Sequence, residues 1–529
     1  MADPRKTLVQ FDRRSLLKGM AGCVLAPAVL RAGPARAQYR KFPFSLGISS
    51  GDPAPDGFVI WTRLAPEPLA EDGGMGSDAA EVTWQVAADQ NMQRVVRSGT
   101  ATAHAESAHS IHVEVGGLEP GRDYFYRFRT STADSAIGRS RTLPMPGAPL
   151  SEIRFASAGC QRWQDGYYTV WRRIAEEQFD FVFHYGDYIY EDPTFKAERR
   201  GDFLQRSMPA DFGECVSLAD YRLRYSLYKT DRDLQAAHAS CGFLSSFDDH
   251  EVANDWSADV QANAWLDTPF LPRKAAAFQA WYEHMPVRAS VKPRGPDILA
   301  YRSFKFGNLA EVAVLDTRQY RSHPACKSFE NCEQARAPER TMLGLAQEQW
   351  LTDTLGASQG TWQVLAQQIN FAQLDWRSFP NRNQRDLQLR MDSWDGAPAG
   401  RNRVLDILRK TSAQNPIVLS GDVHRAIAFE ISSDPNDLLG TPMAVEFLST
   451  SISSGGNGSL VSRNGDAIVR DNPHIKWLSS ERGYTRHLVK PKTWHADYRA
   501  VASITKRDAP IVTRQSFVVE AGKSGLVRA

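Results

Sequence analysis

Two hydrophobic patterns follow one another along the chain. In the first, from residue 41 to residue 141, short runs alternate apolar and polar positions and are rich in β-branched and aromatic side chains. A period of two, broken by turn residues, predicts the short strands of an all-β sandwich. We therefore predict a small β-sandwich over residues 40–146. Its clearest strand candidates are residues 58–62, 82–86, 111–115 and 123–128.

A proline-rich segment separates the two patterns. Residues 143–149 contain Pro144, Pro146 and Pro149, and this density of proline predicts a stiff linker at a domain boundary. Before the linker, residues 117–127 resemble the corner that precedes a late strand in fibronectin-III-like domains. The first domain is therefore expected to be fibronectin-III-like or immunoglobulin-like.

From Ile153 onwards, apolar runs that end in polar residues alternate with longer helical stretches. This alternation predicts an α/β domain, which we place at residues 150–521. In open α/β architectures, ligand groups lie just beyond the carboxyl ends of the buried strands, so the polar residues there are the first candidates for chemistry. The strand candidates are 181–187, 310–316, 363–367 and 416–422, and the helix candidates are 165–178, 217–237 and 401–412.

The composition narrows the classes of function. The 529 residues are 42% hydrophobic and 23% charged, which excludes disorder as the dominant state and supplies more than one sizeable core. Residues 1–37 carry seven basic and two acidic side chains, so the remainder holds 56 basic and 59 acidic residues and a formal charge of −3. A near-neutral body without a basic block argues against a nucleic-acid partner, which needs many phosphate-neutralising Lys and Arg side chains.

The amino terminus has the layout of an export signal. Arg13 and Arg14 precede Leu-Leu-Lys, a short apolar run and the small-residue cleavage pattern Ala35-Arg36-Ala37. This order resembles a twin-arginine signal peptide over residues 1–37, whose partner is the translocase that exports folded proteins. We expect a mature chain from about Gln38 in the periplasm or outside the cell, without a transmembrane anchor because the apolar run is short. A chance arginine pair before an amphipathic helix is the alternative.

Five cysteines remain in the predicted mature chain, an odd number for an oxidising compartment. Cys326 and Cys332 lie close in sequence and could close a small disulfide loop, and Cys215 with Cys241 is the other possible pair. These pairings leave Cys160 over. A buried free cysteine often acts only as a small apolar side chain, so a functional role for Cys160 is indicated only by the residues around it.

Four segments share one pattern, a hydrophobic strand followed directly by side chains that can bind a metal. One such segment carries little information, because Asp after Gly is common in turns. The first segment ends at Cys160, the second runs from Gly186-Asp187 to Tyr190, the third contains Asp249-His250-Glu251, and the fourth contains Gly421-Asp422-Val423-His424. The four together, in this order and with the Gly-Asp-x-x-Tyr spacing intact, resemble the calcineurin-like metallophosphoesterases and most closely the PhoD-type alkaline phosphatases and phosphodiesterases.

The resemblance implies a fold and a set of metal ligands. The fold is a calcineurin-like sandwich of two mixed β-sheets flanked by helices, and the small β-domain and the export signal fit the same family. Asp187 is expected to bridge two metals, and Tyr190 to bind one of them as a phenolate. The remaining ligand positions fall on Cys160, Asp249, Gln367, Asp422 and His424. Gln368 is an alternative to Gln367, because a slip of one residue turns the opposite face of a strand inward.

The chemistry of these ligands predicts two unlike ions. A thiolate and a phenolate at one site suit trivalent iron, Fe³⁺. The second site offers only oxygen, which suits Ca²⁺, with Mg²⁺ or Mn²⁺ as alternatives. A protein that folds before export can acquire such ions in the cytoplasm. The first site comprises Cys160, Asp187, Tyr190 and His424, and the second comprises Asp187, Asp249, Asp422 and Gln367.

The same resemblance implies an alkaline phosphatase and phosphodiesterase that hydrolyses phosphate mono- and diesters with a metal-bound hydroxide. His250 is the candidate general acid for the leaving alkoxide, a step worth roughly 10² to 10⁴ in rate. Asp248 and residues 316–318 are expected to support the site without binding the metals. We expect a phosphate ester as ligand and a monomeric chain. A phospholipase D-type phosphodiesterase is the alternative within the family, and a non-catalytic secreted binding protein is the alternative outside it.

Overall fold

The computed structural model describes residues 41–529 except 194–211, 263–267, 331, 380–385, 435–436 and 461–463. The predicted export signal, residues 1–37, lies outside the described residues. Within the described part of the chain, none of the helices combines the length and the apolar character that crossing a bilayer requires.

The described residues form three β-sheets and seven α-helices. The strands are β1 (Ile48–Ala54), β2 (Gly57–Arg63), β3 (Ala80–Ala87), β4 (Val95–Ala103), β5 (Ser110–Val115), β6 (Asp123–Arg129), β7 (Gly138–Arg141), β8 (Ile153–Ala158), β9 (Phe181–His184), β10 (Gly242–Ser245), β11 (Arg302–Phe306), β12 (Ala310–Val314), β13 (Trp362–Ala366), β14 (Ile417–Ser420), β15 (Ala426–Ser432), β16 (Pro442–Leu448), β17 (Ile475–Ser479), β18 (Gly483–Val489), β19 (Thr493–Val501), β20 (Ile511–Glu520) and β21 (Lys523–Arg528). The helices are α1 (Thr169–Glu176), α2 (Leu218–Lys229), α3 (Arg232–Ser240), α4 (Phe270–His284), α5 (Gly344–Gly356), α6 (Pro398–Lys410) and α7 (Gly465–Asp471).

Both large sheets are mixed. The ten-stranded sheet has the order β21-β20-β19-β18-β8-β9-β10-β1-β2-β5, with β8, β9, β10 and β1 parallel. The seven-stranded sheet has the order β11-β12-β13-β14-β16-β15-β17, with β12, β13, β14 and β16 parallel. One apolar cluster joins Phe155 and Phe181 of the first sheet to Val364 and Phe447 of the second, so the two sheets share a core. The α/β class predicted from the sequence is confirmed.

The amino-terminal strands are divided between two sheets. β4, β3, β6 and β7 form a separate antiparallel sheet. β1, β2 and β5 instead extend the ten-stranded sheet, because β1 pairs in parallel with β10 where Gly51 lies opposite Phe243. The large sheet therefore contains strands from both sides of residues 143–149, where the sequence predicts a linker at a domain boundary.

The predicted helix over residues 217–237 is two helices. Ser217 caps α2 with its side chain, which accepts a hydrogen bond from the backbone of Asp220. Asp231 then starts α3, because its carboxylate accepts hydrogen bonds from the backbone N–H groups of Asp233 and Leu234. The predicted helix is therefore divided at Asp231, where a second capping side chain starts a new helix.

The cysteines separate into one bridge and three free thiols among the described residues. Cys326 and Cys332 form a disulfide, as their spacing allows. Cys160, Cys215 and Cys241 are free and buried, so the alternative pairing of Cys215 with Cys241 does not form. Cys215 precedes α2 and Cys241 follows α3, and both thiols pack as small apolar groups in one core cluster.

Candidate metal centre

The candidate site lies where strands of the two large sheets end. Cys160 follows β8, Asp187 follows β9 and Asp249 follows β10, three parallel neighbours of the ten-stranded sheet. Asp422 and His424 follow β14 of the seven-stranded sheet. Because the carboxyl ends of parallel strands meet at one edge of a sheet, side chains far apart in sequence converge here.

The four residues predicted to hold iron lie together. One ligand atom each of Cys160, Asp187 and His424 lies within 4.8 Å of the others. The Tyr190 hydroxyl donates a hydrogen bond of 2.9 Å to Asp187 Oδ2 and lies 3.0 Å from His424 Nε2. A sulfur, a phenol oxygen, a carboxylate and an imidazole therefore share one small volume.

The backbone at these positions is unusual. Four of the candidate ligands adopt positive φ angles, a region that few non-glycine residues occupy. Such conformations persist only where the surrounding structure imposes them, and they concentrate at functional sites. The residues are Cys160 at 52°, Asp187 at 54°, Asp422 at 67° and His424 at 53°.

Two glycines allow the ligand loops to approach one another. The ring of Tyr185 lies so close to Gly159 and Gly421 that a Cβ atom would stand 2.4 Å from it at Gly159 and 2.2 Å at Gly421. The Tyr185 hydroxyl donates to the carbonyl of Thr450 at 2.6 Å. Tyr185 thus packs the loops after β8 and β14 together.

Carboxylates form a second group beside the first. One oxygen each of Asp248, Asp249 and Asp422 lies within 4.8 Å of the others, and Asp249 lies within the same distance of ligand atoms of Asp187 and His250. The oxygen donors predicted for the second ion are therefore close together. Asp248 joins this cluster, although we expected it only to support the ligands.

A third acidic group was missed from the sequence. Asp249, Asp255 and Asp392 offer carboxylate oxygens within 4.8 Å of one another. Asp255 and Asp392 lie in irregular segments, not behind a buried strand. No periodic pattern or spacing marks them, so the sequence carries no signal for their position.

The glutamine candidates are held by neighbouring protein atoms. Gln367 Oε1 accepts hydrogen bonds of 3.2 Å from Trp394 Nε1 and from the backbone N–H of Ile369. The Gln368 oxygen accepts from the Thr317 hydroxyl at 2.6 Å, and its amide donates to Ser246 Oγ at 2.5 Å. Both amides thus form hydrogen bonds with other residues of the chain, and a ligand role for Gln367 stays a prediction.

Buried arginines balance the carboxylates. Arg318 Nε lies 2.5 Å from Asp248 Oδ1, and its Nη1 lies 2.7 Å from Asp392 Oδ1. Arg390 Nη1 lies 2.6 Å from Asp422 Oδ2. Burial raises the pKa of the Asp249 carboxyl, but the charges of Arg318, His250 and Arg390 and a backbone hydrogen bond together outweigh it, so that the pKa lies well below its usual value. Arg318 thus supports the site, as expected, and Arg390 does so without a sequence signal.

His250 is oriented by a carboxylate that the sequence analysis did not single out. Its Nδ1 lies 2.7 Å from Glu191 Oε2, and Glu191 Oε1 also accepts the backbone N–H of Asn254 at 2.7 Å. Burial would lower the pKa of His250, but Glu191 and Asp249 raise it well above the usual value. Glu191 directly follows Tyr190, and this position next to the Gly-Asp-x-x-Tyr motif is the sequence feature that could have identified it.

Ser454 joins two of the ligand loops. Its Oγ lies 2.7 Å from the Tyr190 hydroxyl and 2.7 Å from the carbonyl oxygen of Cys160, and it accepts the backbone N–H of Arg162 at 3.0 Å. The glycine- and serine-rich loop over residues 451–459 is visible in the sequence, but nothing there shows that it reaches Tyr190.

The donor set fits a multivalent cation. Burial raises the pKa of the Asp187 carboxyl, the Cys160 thiol and the Tyr190 phenol well above their usual values, so their anionic forms are unfavourable in the protein alone. Within the described residues, the buried Asp187 Oδ1 has no hydrogen-bond partner. A bound cation would satisfy that oxygen and favour the deprotonated ligands.

The fold and the site define an α/β enzyme whose reactive groups lie at the carboxyl ends of its strands. The family described as "PhoD-like phosphatase" matches residues 155–498, and "PhoD-like phosphatase, N-terminal domain" matches residues 29–144. The "Alkaline phosphatase D" of Bacillus subtilis (strain 168) is 42% identical over 530 residues, which cover 98% of this chain and 89% of the relative. A solved structure described as "Structure of PhoD" superposes with a TM-score of 0.88 and 42% identity, covering 93% of each chain. The chain therefore belongs to the PhoD-like phosphatase family and is a phosphoric ester hydrolase.

Proposed function

We propose that the protein is an exported alkaline phosphatase and phosphodiesterase that uses Fe³⁺ and Ca²⁺ together. The observation that carries this proposal is the convergence of Cys160, Asp187, Tyr190 and His424 within hydrogen-bonding or ligand distance. Thiolate and phenolate are strongly donating anions, and together they suit a trivalent ion such as Fe³⁺.

The second ion is proposed to lie among carboxylates. Asp187 adjoins both groups, and Asp249 and Asp422 supply further oxygens. Ca²⁺ takes six to eight oxygen ligands in flexible geometry. Mg²⁺ instead demands near-ideal octahedral geometry and is usually held by only one or two carboxylates, fewer than this cluster offers.

The residues of the chain would contribute to hydrolysis in distinct ways. When bound, two cations supply an activated water nucleophile and stabilise the charge of the phosphoryl oxygens. His250 would protonate the departing alkoxide, since Glu191 holds its Nδ1 and leaves Nε2 to donate. Arg318 and Arg390 would hold the carboxylates in place through their ion pairs.

The finer architecture and the export route belong to the same proposal. The two mixed sheets with a shared core support a calcineurin-like sandwich at residues 150–521, and the matched amino-terminal family supports a domain at residues 40–146. The twin-arginine pattern in residues 1–37 supports export through the twin-arginine translocase to the periplasm or the medium.

Hydrolysis of two nitrophenyl esters tests the proposal. The metal-loaded protein should hydrolyse nitrophenyl phosphate and bis-nitrophenyl phosphate, with higher rates at alkaline pH. Cys160→Ser should lose iron and more than about 100-fold in both rates, whereas Cys241→Ser, another buried free cysteine outside the site, should keep them. Turnover confined to phosphatidylcholine would favour the phospholipase D-type alternative, and absence of turnover at full metal content would favour a binding protein.

A further inference from the structure

Most arginines around the metal centre are neutralised by carboxylates. Arg162 pairs with Asp192, and Arg321 Nη1 lies 2.6 Å from Asp392 Oδ1. Arg425 differs from them. Among the described residues, no carboxylate or hydrogen-bond acceptor lies within bonding distance of its guanidinium, and its pKa is lowered by burial alone. A partly buried cation without a counterion is unfavourable unless a ligand supplies one.

The guanidinium of Arg425 is held in one place. Its central carbon lies 4.9 Å from the ring centroid of Phe379, a cation–π contact. Phe379 is itself 3% exposed and packs against Trp376 at a centroid distance of 4.2 Å. The aromatic support therefore orients the cation without neutralising its charge.

Arg425 adjoins a partly exposed residue of the candidate metal centre. It follows His424 directly, and the His424 side chain is 31% exposed although Asp187 beneath it is buried. His424, the chain neighbour of Arg425, is therefore accessible to a ligand from solvent.

A second arginine increases the positive charge beside His424. Arg482 Nη1 donates to the carbonyl of His424 at 2.8 Å and to Ser451 Oγ at 2.7 Å, and its Nε donates to the carbonyl of Gly456 at 2.6 Å. The His424 carbonyl that Arg482 contacts is bonded to the backbone nitrogen of Arg425, so the two arginines adjoin the same peptide unit. Two like charges are thus held close together, with no carboxylate paired to either among the described residues.

We propose that Arg425, supported by Phe379 and beside Arg482, forms an anion subsite that binds phosphate oxygens of the ester substrate. The subsite rests on the proposed function, since it serves the same metal centre. A guanidinium presents two parallel N–H groups that match two phosphate oxygens, and its flat face stacks on an aromatic ring, so Arg suits this position better than Lys. Arg482 acts as a positioning residue, because its donors hold the backbone of the His424 and Gly456 loops.

The phosphate oxygens could belong to the reacting phosphoryl group or to a second phosphate on the leaving group. Calorimetric titration of the metal-loaded protein with inorganic phosphate and with ADP distinguishes these sources. Arg425→Gln should weaken binding by about 10- to 100-fold, the loss expected for hydrogen bonds to a charged group. Weaker binding of both ligands assigns Arg425 to the reacting group, and weaker binding of ADP alone assigns it to the second phosphate.

Two further variants separate the subsite from a structural effect. Arg425→Lys keeps the charge and should weaken binding less than Arg425→Gln. Arg129→Gln removes one positive charge from β6, where Arg129 pairs with Asp134, and should leave both dissociation constants unchanged. Iron and calcium content should be the same in all variants.

Binding of both ligands by Arg425→Gln within twofold of the unaltered protein would overturn the proposal. Loss of metal from that variant would also overturn it, because Arg425 would then support the centre itself. Failure of the unaltered protein to bind either ligand would overturn it as well. Nitrophenyl phosphate turnover by the unaltered protein is measured separately, so a failure of the proposed phosphatase chemistry is distinguishable from a failure of the subsite.

Discussion

His250 Nδ1 lies 2.7 Å from Glu191 Oε2, and the imidazole packs 4.1 Å from the ring of Tyr190, measured between centroids. The carboxylate fixes which imidazole nitrogen is left for the reaction, and the phenol ring fixes the plane of the imidazole. A candidate acid and a candidate metal ligand are therefore positioned by one packed unit. Substitution of His250 or Glu191 should change protonation of the leaving group before it changes metal binding.

Removal of the imidazole should depend on the leaving group. His250→Ala should slow esters of aliphatic alcohols by roughly 10² to 10⁴ and nitrophenyl esters far less, because nitrophenolate leaves without protonation. Glu191→Gln should follow the same trend with a smaller loss. Rates on the two ester classes, measured at equal metal content, decide this, and equal losses on both would reject His250 as the proton donor.

The hydrogen bond from Ser454 should be visible in the spectrum. If Tyr190 binds ferric iron, its Oη is a charge-transfer donor, and Ser454 Oγ lies 2.7 Å from it. Ser454→Ala should move the visible absorption to longer wavelength, because loss of the hydrogen bond raises the energy of the phenolate electrons. Ser453→Ala is the matched control, since Ser453 Oγ donates to the carbonyl of Arg162 instead. An unchanged band in Ser454→Ala would contradict this coupling.

Arg318 should matter for stability as well as for the site. Its side chain is fully buried between Asp248 and Asp392. Arg318→Met would leave Asp248 without a counterion and Asp392 with Arg321 alone at close range, and we expect a loss of about 3–5 kcal/mol in the free energy of unfolding. Arg154→Met removes a side chain that is 58% exposed and should change stability by less than about 0.5 kcal/mol. Urea unfolding of the two variants measures the difference, and equal effects would refute the prediction.

Lys229, a buried lysine outside the metal centre, should make the free energy of unfolding depend on pH. Its Nζ lies 4.2 Å from the ring centroid of Trp61, and burial lowers its pKa from 10.5 to about 7. Between these pH values the unfolded chain holds the proton and the folded chain does not, so this group adds stability as pH rises from 7 to 10. Lys229→Met removes the cost of burying the charge.

The advantage of Lys229→Met over the unaltered protein should therefore shrink on going from pH 7 to pH 10, by a difference on the order of 3 kcal/mol. Urea unfolding of both proteins at the two pH values gives that difference. Lys523→Met, at a side chain that is 77% exposed, controls for the loss of a positive charge. A pH-independent advantage would mean that Lys229 is not the group responsible.

The sequence was most informative where a local pattern is sufficient. Period-two runs gave β2, β3, β5 and β6, and the polar residues after apolar runs led to Cys160, Asp187 and His424. In these cases, the two rules used, strand periodicity and the placement of ligands at strand ends, do not depend on how the rest of the chain folds.

The missed features depend on long-range contacts. No spacing in the sequence indicates that β1 pairs in parallel with β10 or that Arg390 contacts Asp422. Asp392 and Ser454 lie in irregular segments whose position follows only from the packing of the two sheets. Gln367 was recognised from its position at a strand end, but that position did not show which neighbours its amide contacts.

The pairing of unlike ions is tested most directly by elemental analysis of protein exported by its native host, combined with activity after chelation and after return of calcium. We predict one iron and at least one calcium per chain, a visible absorption band that Tyr190→Phe abolishes, and activity that chelation removes and calcium restores. Zinc in both positions of a colourless, active enzyme would contradict the assignment of Cys160, Asp187, Tyr190 and His424 as the ligands of a ferric ion.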